Sequence, residues 1–351
     1  MNRIHFLVCV RCFTFNHAPY IVDALNGFTM QQTTFPFVCT IVDDASTDGE
    51  PEIIQKYLEA HFDLGNEAVA RNEDTDDYHL IFARHKTNHN CYFSVLFLKY
   101  NHYSIKKSKF PYLEEWKDTK YIALCEGDDF WIDSNKLQLQ VTYLENNLNC
   151  SMCFHAVNVV EDGVVKRLFR HSAKETDFST SRIISLGGSF CPTASIVVKS
   201  EVYNDYPMFR KIADVGDYPL QILSALKGHV HYYPEIMACY RIHSGSWTSA
   251  IQPEKNIEHL QTRICWLKEL NNYTNMKYSS AVYYSIIDSA SSLYHLNCIT
   301  KRELLDVFHK VNIFKLDVPI ESKKLFVKQY LSVLFPVKII KAQLKFFTSL
   351  C

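Results

Sequence analysis

Apolar runs of strand length, each stopped by an acidic or turn-forming cluster and followed by helically spaced residues, constrain this chain most. "IHFLVCV" (Ile4 to Val10) ends in "RCFTFNHAPY", and "FPFVCTIV" (Phe35 to Val42) ends in "DDASTDG". Each run is nearly continuous rather than alternating, which is the pattern of a strand covered on both faces. Asn16 and Pro19 suit the start of a helix after the first run, and "EPEIIQKYLEAHF" has helical spacing after the second. Strand, turn and helix in repetition give the βαβ pattern of a parallel sheet.

Further strands are expected at "YHLIFA" (Tyr78 to Ala83), "KYIALC" (Lys120 to Cys125) and "SMCFHAVNVV", with helices at "CYFSVLFLKYNHYSIKK" and "NKLQLQVTYLENN". From about residue 252 the segments "EHLQTRICWLKEL", "SSAVYYSIIDSASSLYHL" and "KRELLDVFHKV" read as helices. The expected organisation is an α/β domain over residues 1–250 and a helical extension over 251–351. Lys323 to Cys351 carries six lysines and no acid among Leu, Phe, Val and Ile. That composition suits either a helix packed with its lysines outward or an amphipathic segment resting on anionic lipid.

A chain of 351 residues with 47% hydrophobic content can bury a real core. Its 37 basic and 38 acidic residues leave a net charge of −1, which removes a global electrostatic case for nucleic-acid binding. No apolar run is long enough to span a bilayer, and "MNRIHFLVCVRCF" lacks the pattern of a signal peptide. The expected location is cytoplasmic, at most at the inner face of the membrane. Twelve cysteines then read as reduced thiols. Cys9/Cys12 and Cys150/Cys153 can be drawn as a four-thiolate zinc site, but the apolar run around Cys9 favours buried free thiols.

Acidic pairs stand just past two of the expected strands, Asp43/Asp44 and, in "CEGDDFW", Asp128/Asp129. In open parallel sheets that edge binds ligands. A solvated turn explains either pair alone; together they suit a hard divalent cation and a diphosphate at Asp128/Asp129, with Asp44 accepting hydrogen bonds from a base or ribose. Asp74-Thr75-Asp76, in a wider acidic run, reads as a solvated loop. Asp217 opens a helix-like run and is either an N-cap or a general base. Arg241, His243 and Trp247 lie in "YRIHSGSWTS", a segment rich in small polar residues that could fold over a diphosphate.

In their order and separations, "FTFNHAPYIVDALNGFTMQQTTFPFVCTIVDDASTDG", "KYIALCEGDDFWIDSNKLQLQVTYLENN" and "GDYPLQI…YRIHSGSWTS" resemble family 2 glycosyltransferases of the GT-A fold, of the bacterial polysaccharide-assembly type. The resemblance covers roughly residues 1–250. It implies a Rossmann-like, mostly parallel mixed sheet flanked by helices. It also implies an inverting transfer of a sugar from a nucleotide-diphosphate donor to a hydroxyl of a saccharide or lipid-linked acceptor, with Mn²⁺ or Mg²⁺ as cofactor. Thr14, Asn16 and Asp44 fall on the nucleotide side. Asp128 and Asp129 fall at the metal, with Asp129 as the direct ligand and His243 beside it. Asp217 matches the catalytic base, and Arg241 and Trp247 face the acceptor or diphosphate. Two departures stand out: Gly216 precedes Asp217 where many members have Glu, and the Gln-x-x-Arg-Trp signature of polymerising members is absent. The alternatives are a nucleotidyltransferase on a similar sheet, which would want a Gly-rich basic loop after the first strand, and a non-catalytic binding or assembly protein.

Overall fold

The structure is a computed structural model that describes residues 4–244 and 253–335. By compactness the chain divides into two units. The first comprises Met1–Phe178, Cys191–Asp205 and Leu223–Ser246, and the second Ser179–Phe190, Tyr206–Ile222 and Trp247–Cys351. The helical unit therefore draws in two segments from within the first 250 residues, one of which carries Asp217.

The first unit is built on one mixed sheet. Its strands are β1 (Val8–Thr14), β2 (Phe37–Asp43), β3 (Ala70–Asp74), β4 (Tyr78–Arg84), β5 (Cys91–Leu98), β6 (Tyr121–Leu124), β7 (Phe130–Trp131), β8 (Cys150–Glu161), β9 (Val164–Phe169), β10 (Thr176–Phe178), β11 (Val197–Lys199) and β12 (His229–Ile242). They lie in the order β10-β12-β8-β11-β6-β1-β2-β5-β4-β3, with β7 paired to β12 and β9 to β8. β1 runs parallel to both β2 and β6, and β2 runs parallel to β5. From β1 the chain adds strands on one side through β2 and β5 and then returns to the other side with β6. The boundary between β1 and β6 is thus a topological switch point, the place where open α/β sheets bind ligands beyond their C-terminal strand ends.

Three local readings are corrected. The first strand is Val8–Thr14 rather than Ile4 to Val10. Arg11 does not end it, because the buried guanidinium lies 4.4 Å over the Tyr203 ring. The expected helix at "CYFSVLFLKYNHYSIKK" begins as β5, wholly buried and paired with β2 on one side and β4 on the other. A short continuous apolar run fits a buried strand as well as a helix, and here pairing on both edges decided it. Asn16 does not cap the helix Ile21–Thr29. It takes a left-handed backbone (φ 56°), and its side-chain oxygen accepts from the Thr47 amide at 2.8 Å.

Cys9 and Cys12 sit in β1 and Cys150 and Cys153 in β8, all four buried and free, with β6 and β11 between those strands. No four-thiolate centre forms from them. Asp74 ends the edge strand β3 and pairs with Lys99 at 2.8 Å, as suits an exposed hairpin acid.

The second unit is helical, with Thr180–Leu186, Pro253–Tyr273, Ser279–His295, Lys301–His309 and Ile320–Leu334 as its main helices. Trp266, Leu267, Leu270, Val282 and Ile286 form its interior. A reciprocal capping box between Thr300 and Glu303 starts the helix Lys301–His309. No helix among the described residues is long and apolar enough to cross a membrane. Of the lysine-rich stretch, the part after residue 335 lies outside the described residues.

Candidate functional site

At the switch point the turns after β1 and β6 meet. The acidic turn leaves β6 with the Gly127 amide donating to the Phe13 carbonyl at 3.0 Å. Only glycine fits there. A Cβ on Gly127 would lie 2.6 Å from the Thr14 Cβ, still closer to its Oγ1, and 3.1 Å from His17 Nδ1. This contact brings Asp128 to the side chains of β1's turn. Asp128 Oδ2 lies 3.0 Å from His243 Nε2 and 3.9 Å from His17 Nε2. The three ligand atoms fall within 4.8 Å of one another, in the one such His/Cys/Asp/Glu cluster found among the described residues.

That cluster fits a divalent cation. Bonds of roughly 2.0–2.2 Å would set neighbouring donors about 3 Å apart and opposite donors about 4 Å apart, which matches the two separations from Asp128. The three side chains are 12–19% exposed, so the cluster is reachable from outside.

Asp129 is used differently. It is buried, and its Oδ1 accepts from the Arg241 amide at 2.8 Å. Burial, and then the neighbouring Asp128 charge, push its carboxyl well above the usual carboxylate range. Arg241 binds the turn into place. Its guanidinium donates to the Asp128 carbonyl at 2.9 Å and to the Asp23 carboxylate at 2.7 Å, and lies over the Tyr20 and Phe130 rings at 4.5 and 4.8 Å. Trp131 fixes the other end, buried against Phe28 and donating from Nε1 to the Ala194 carbonyl at 2.8 Å. The two aromatics of "CEGDDFW" thus hold the turn at the sheet edge.

The nucleotide-side residues sit one strand over, where Thr14 and Asp43 are register partners. Thr14 Oγ1 donates to Glu50, whose other oxygen accepts from the His17 amide at 2.8 Å and from Ser46 Oγ at 2.9 Å. Asp44 is fully engaged: its oxygens accept from the amides of His102 and Tyr103 and from Lys109 Nζ at 2.7, 3.1 and 2.8 Å. Asp43 has one buried oxygen, Oδ1, with no hydrogen-bond partner, and Oδ2 accepts from the Ser46 amide at 3.3 Å. Burial lifts its pKa from 3.8 to about 6, against the hydrogen bond from Ser46 and with a smaller push from Glu50.

Comparison with known proteins agrees with this architecture. The protein of S. aureus named TarS, as residues 1–349 in complex with UDP-GlcNAc, superposes with a TM-score of 0.54 at 12% identity over 93% of this chain and 90% of that one. The same protein in complex with UDP gives 0.53 at 13% identity over 87% and 81%. The chain shares the α/β fold of TarS, a mixed sheet flanked by helices. The uncharacterized proteins Rv1520 of Mycobacterium tuberculosis and Mb1547 of Mycobacterium bovis are each 32% identical over 240 residues, 68% of this chain and 59% of theirs. The chain therefore spans less than two thirds of the length of these relatives. No family model matches it.

Asp217 belongs to the second unit, at the first position of the helix Asp217–Lys227. Its neighbour Tyr218 anchors that helix start, packing 5.1 Å from the Trp266 ring and bonding to the Ile184 carbonyl and to Ser285 Oγ. Asp217 Oδ1 accepts from the Tyr218 amide at 2.7 Å, yet burial raises its pKa above the usual carboxylate value. Trp247 lies outside the described residues. Thr14, Asn16, Asp44, Asp128, Asp129, Arg241 and His243 all belong to the first unit. Sequence reasoning missed His17, Glu50 and Asp43's open oxygen. For His17 the available signal was its place in the turn after the central strand, three residues past Thr14.

Proposed function

We propose that this chain is an inverting, cation-dependent glycosyltransferase of the family 2 kind, moving a sugar from a nucleotide-diphosphate donor to a hydroxyl of a saccharide or lipid-linked acceptor. The observation that carries the reading is the His17–Asp128–His243 cluster at the switch point of a fold shared with TarS, a protein crystallised with UDP-GlcNAc and with UDP. A Mn²⁺ or Mg²⁺ ion held there would supply positive charge against the departing diphosphate.

On the nucleotide side, Thr14 and Asn16 shape the turn beside the cluster, and the Asp43/Asp44 pair would face a base or ribose, with Asp44 already held by His102, Tyr103 and Lys109. Asp43 Oδ1 offers an acceptor that no protein group has taken. Asp217 takes the acceptor proton as its oxygen attacks the anomeric carbon from the face opposite the diphosphate. A carboxyl lifted by burial is the better proton acceptor for that step. One catalytic carboxylate suffices, unlike the pair of most glycosidases. Arg241 acts by holding the acidic turn. A saccharide or lipid-linked acceptor suits polysaccharide assembly at the inner face of a membrane, with the lysine-rich C-terminal stretch as the contact. The turn after β1, Phe15 to Tyr20, has no glycine and no lysine, which disfavours a nucleotidyltransferase.

The test is a panel of UDP- and GDP-sugars scored for hydrolysis and transfer, with EDTA, Mn²⁺ or Mg²⁺, for the wild type and Asp217→Asn. The expected outcome is cation-dependent turnover of a defined donor and loss of transfer in the variant. Turnover in EDTA, or undiminished transfer by Asp217→Asn, would overturn the mechanism.

A further inference from the structure

We propose that His17 is a third protein donor to the cation, so that His17, Asp128 and His243 hold a first-row transition ion such as Mn²⁺ before any nucleotide arrives, and in preference to Mg²⁺. This deepens the reading above and rests on it only for the identity of the groups that fill the remaining coordination positions.

The orientation of His17 is built in. Thr14 Oγ1 gives its proton to Glu50, so toward His17 Nδ1, 3.1 Å away, it presents a lone pair. Nδ1 therefore carries a proton, which makes Nε2 the ring nitrogen turned toward the Asp128 carboxylate and the one placed to ligate. Across that 3.9 Å either a proton on Nε2 or a cation answers the carboxylate charge, and a bound cation takes the place of the proton. A ligating histidine usually gives its other N–H to an oxygen that fixes the tautomer, and here the Thr14–Glu50 pair does so. The Glu50 carboxylate is itself fixed by the His17 amide and Ser46 Oγ. His17 thus arrives with its ring and its backbone both tied to the same buried acid.

The donor set decides the ion. A single carboxylate with two imidazoles leaves a hexacoordinate cation three positions, enough for two diphosphate oxygens and a water. Two nitrogen donors penalise Mg²⁺, which prefers an all-oxygen shell and retains its waters, more than Mn²⁺, the weakest binder of the first-row ions but one that gives up waters more readily. Three protein ligands also remove the need for a diphosphate to complete binding, so loading of the ion precedes the donor.

The experiment is a titration of the full chain with Mn²⁺ alone, followed by electron paramagnetic resonance of free and bound ion, with pulsed measurements counting coupled imidazole nitrogens. The wild type is expected to bind one Mn²⁺ without nucleotide, to show two imidazoles, and to resist displacement by a hundredfold excess of Mg²⁺. His17→Gln is expected to weaken Mn²⁺ at least tenfold and to show one imidazole, with its circular dichroism unchanged. No binding by the wild type without nucleotide, a single imidazole, or ready displacement by Mg²⁺ would overturn the proposal, and none of these needs a variant to fold. The two readings separate cleanly. Binding through two imidazoles without nucleotide-sugar turnover would sink the proposed function and leave this inference standing. Cation-dependent turnover by a protein that binds Mn²⁺ only with nucleotide would do the reverse.

Discussion

The two Asp-Asp pairs start from the same sequence pattern, a buried strand running straight into adjacent acids, and they end with different chemistry. In each pair the second carboxylate is used inside the protein: Asp44 by two amides and Lys109, Asp129 by the Arg241 amide. In each pair the first keeps oxygens for something else. Asp43 keeps a buried, unpartnered oxygen, whereas Asp128 faces two imidazoles. An acidic pair at a strand end is therefore not a metal site by itself. The turns after β1 and β12 make one of them a candidate by bringing His17 and His243 to Asp128.

The largest expected effect separates the pairs by chemistry. Asp128→Asn should lower donor turnover by about a thousandfold, equivalent to ~4 kcal/mol, and abolish Mn²⁺ binding. Asp43→Asn should leave Mn²⁺ binding intact. If both variants lose the ion equally, the distinction between the turns fails.

The second effect is on stability. Asp43 has a folded pKa raised from 3.8 to about 6, so keeping it ionised in the fold is unfavourable. Its contribution to stability is intact below pH ~4, declines as pH rises through about 6, and beyond that leaves a deficit of up to ~3 kcal/mol. Asp43→Asn should therefore be more stable than the wild type at pH 8, with the gap closing toward pH 4 in denaturant unfolding. A constant difference across that range would contradict the assignment.

Next comes the contact between the turns of β1 and β6. Gly127→Ala must push Thr14 or the turn aside, at ~1–3 kcal/mol, and should lower the unfolding midpoint and the Mn²⁺ affinity together. A stable variant with normal affinity would show that Thr14 and His17 are not held by this approach. The smallest effect is expected for Lys109→Ala, which removes one of three donors to Asp44 while both amides remain. About 1 kcal/mol is expected, with Mn²⁺ binding unchanged.

What the sequence disclosed follows from the same physics. Continuous apolar runs marked β1, β2 and β6, and the acids stood at the ends of β2 and β6, because burial on both faces and a polar strand end are local properties. β5 was misread because a run as apolar as Cys91–Leu98 has no period to separate strand from helix. The preference for Asp129 as ligand could not be weighed locally, since Arg241, which engages it, comes from a strand more than a hundred residues later. His17 was visible as a residue but not as a candidate ligand. Its orientation depends on Thr14 and Glu50, and its partner Asp128 arrives only when β6 returns to β1. Asp217 was legible as a helix-start acid, and the start of that helix is anchored by packing inside the second unit.

The central claim is that the turn after β6 holds a cation for nucleotide-sugar chemistry. The most direct measurement is donor hydrolysis by the full chain over a panel of nucleotide sugars, after EDTA treatment and again after Mn²⁺ is restored, for the wild type and Asp128→Asn. The account predicts hydrolysis of a defined donor that stops with EDTA, returns with Mn²⁺ and is absent from the variant. Turnover that persists in EDTA, or an Asp128→Asn protein as active as the wild type, would contradict it.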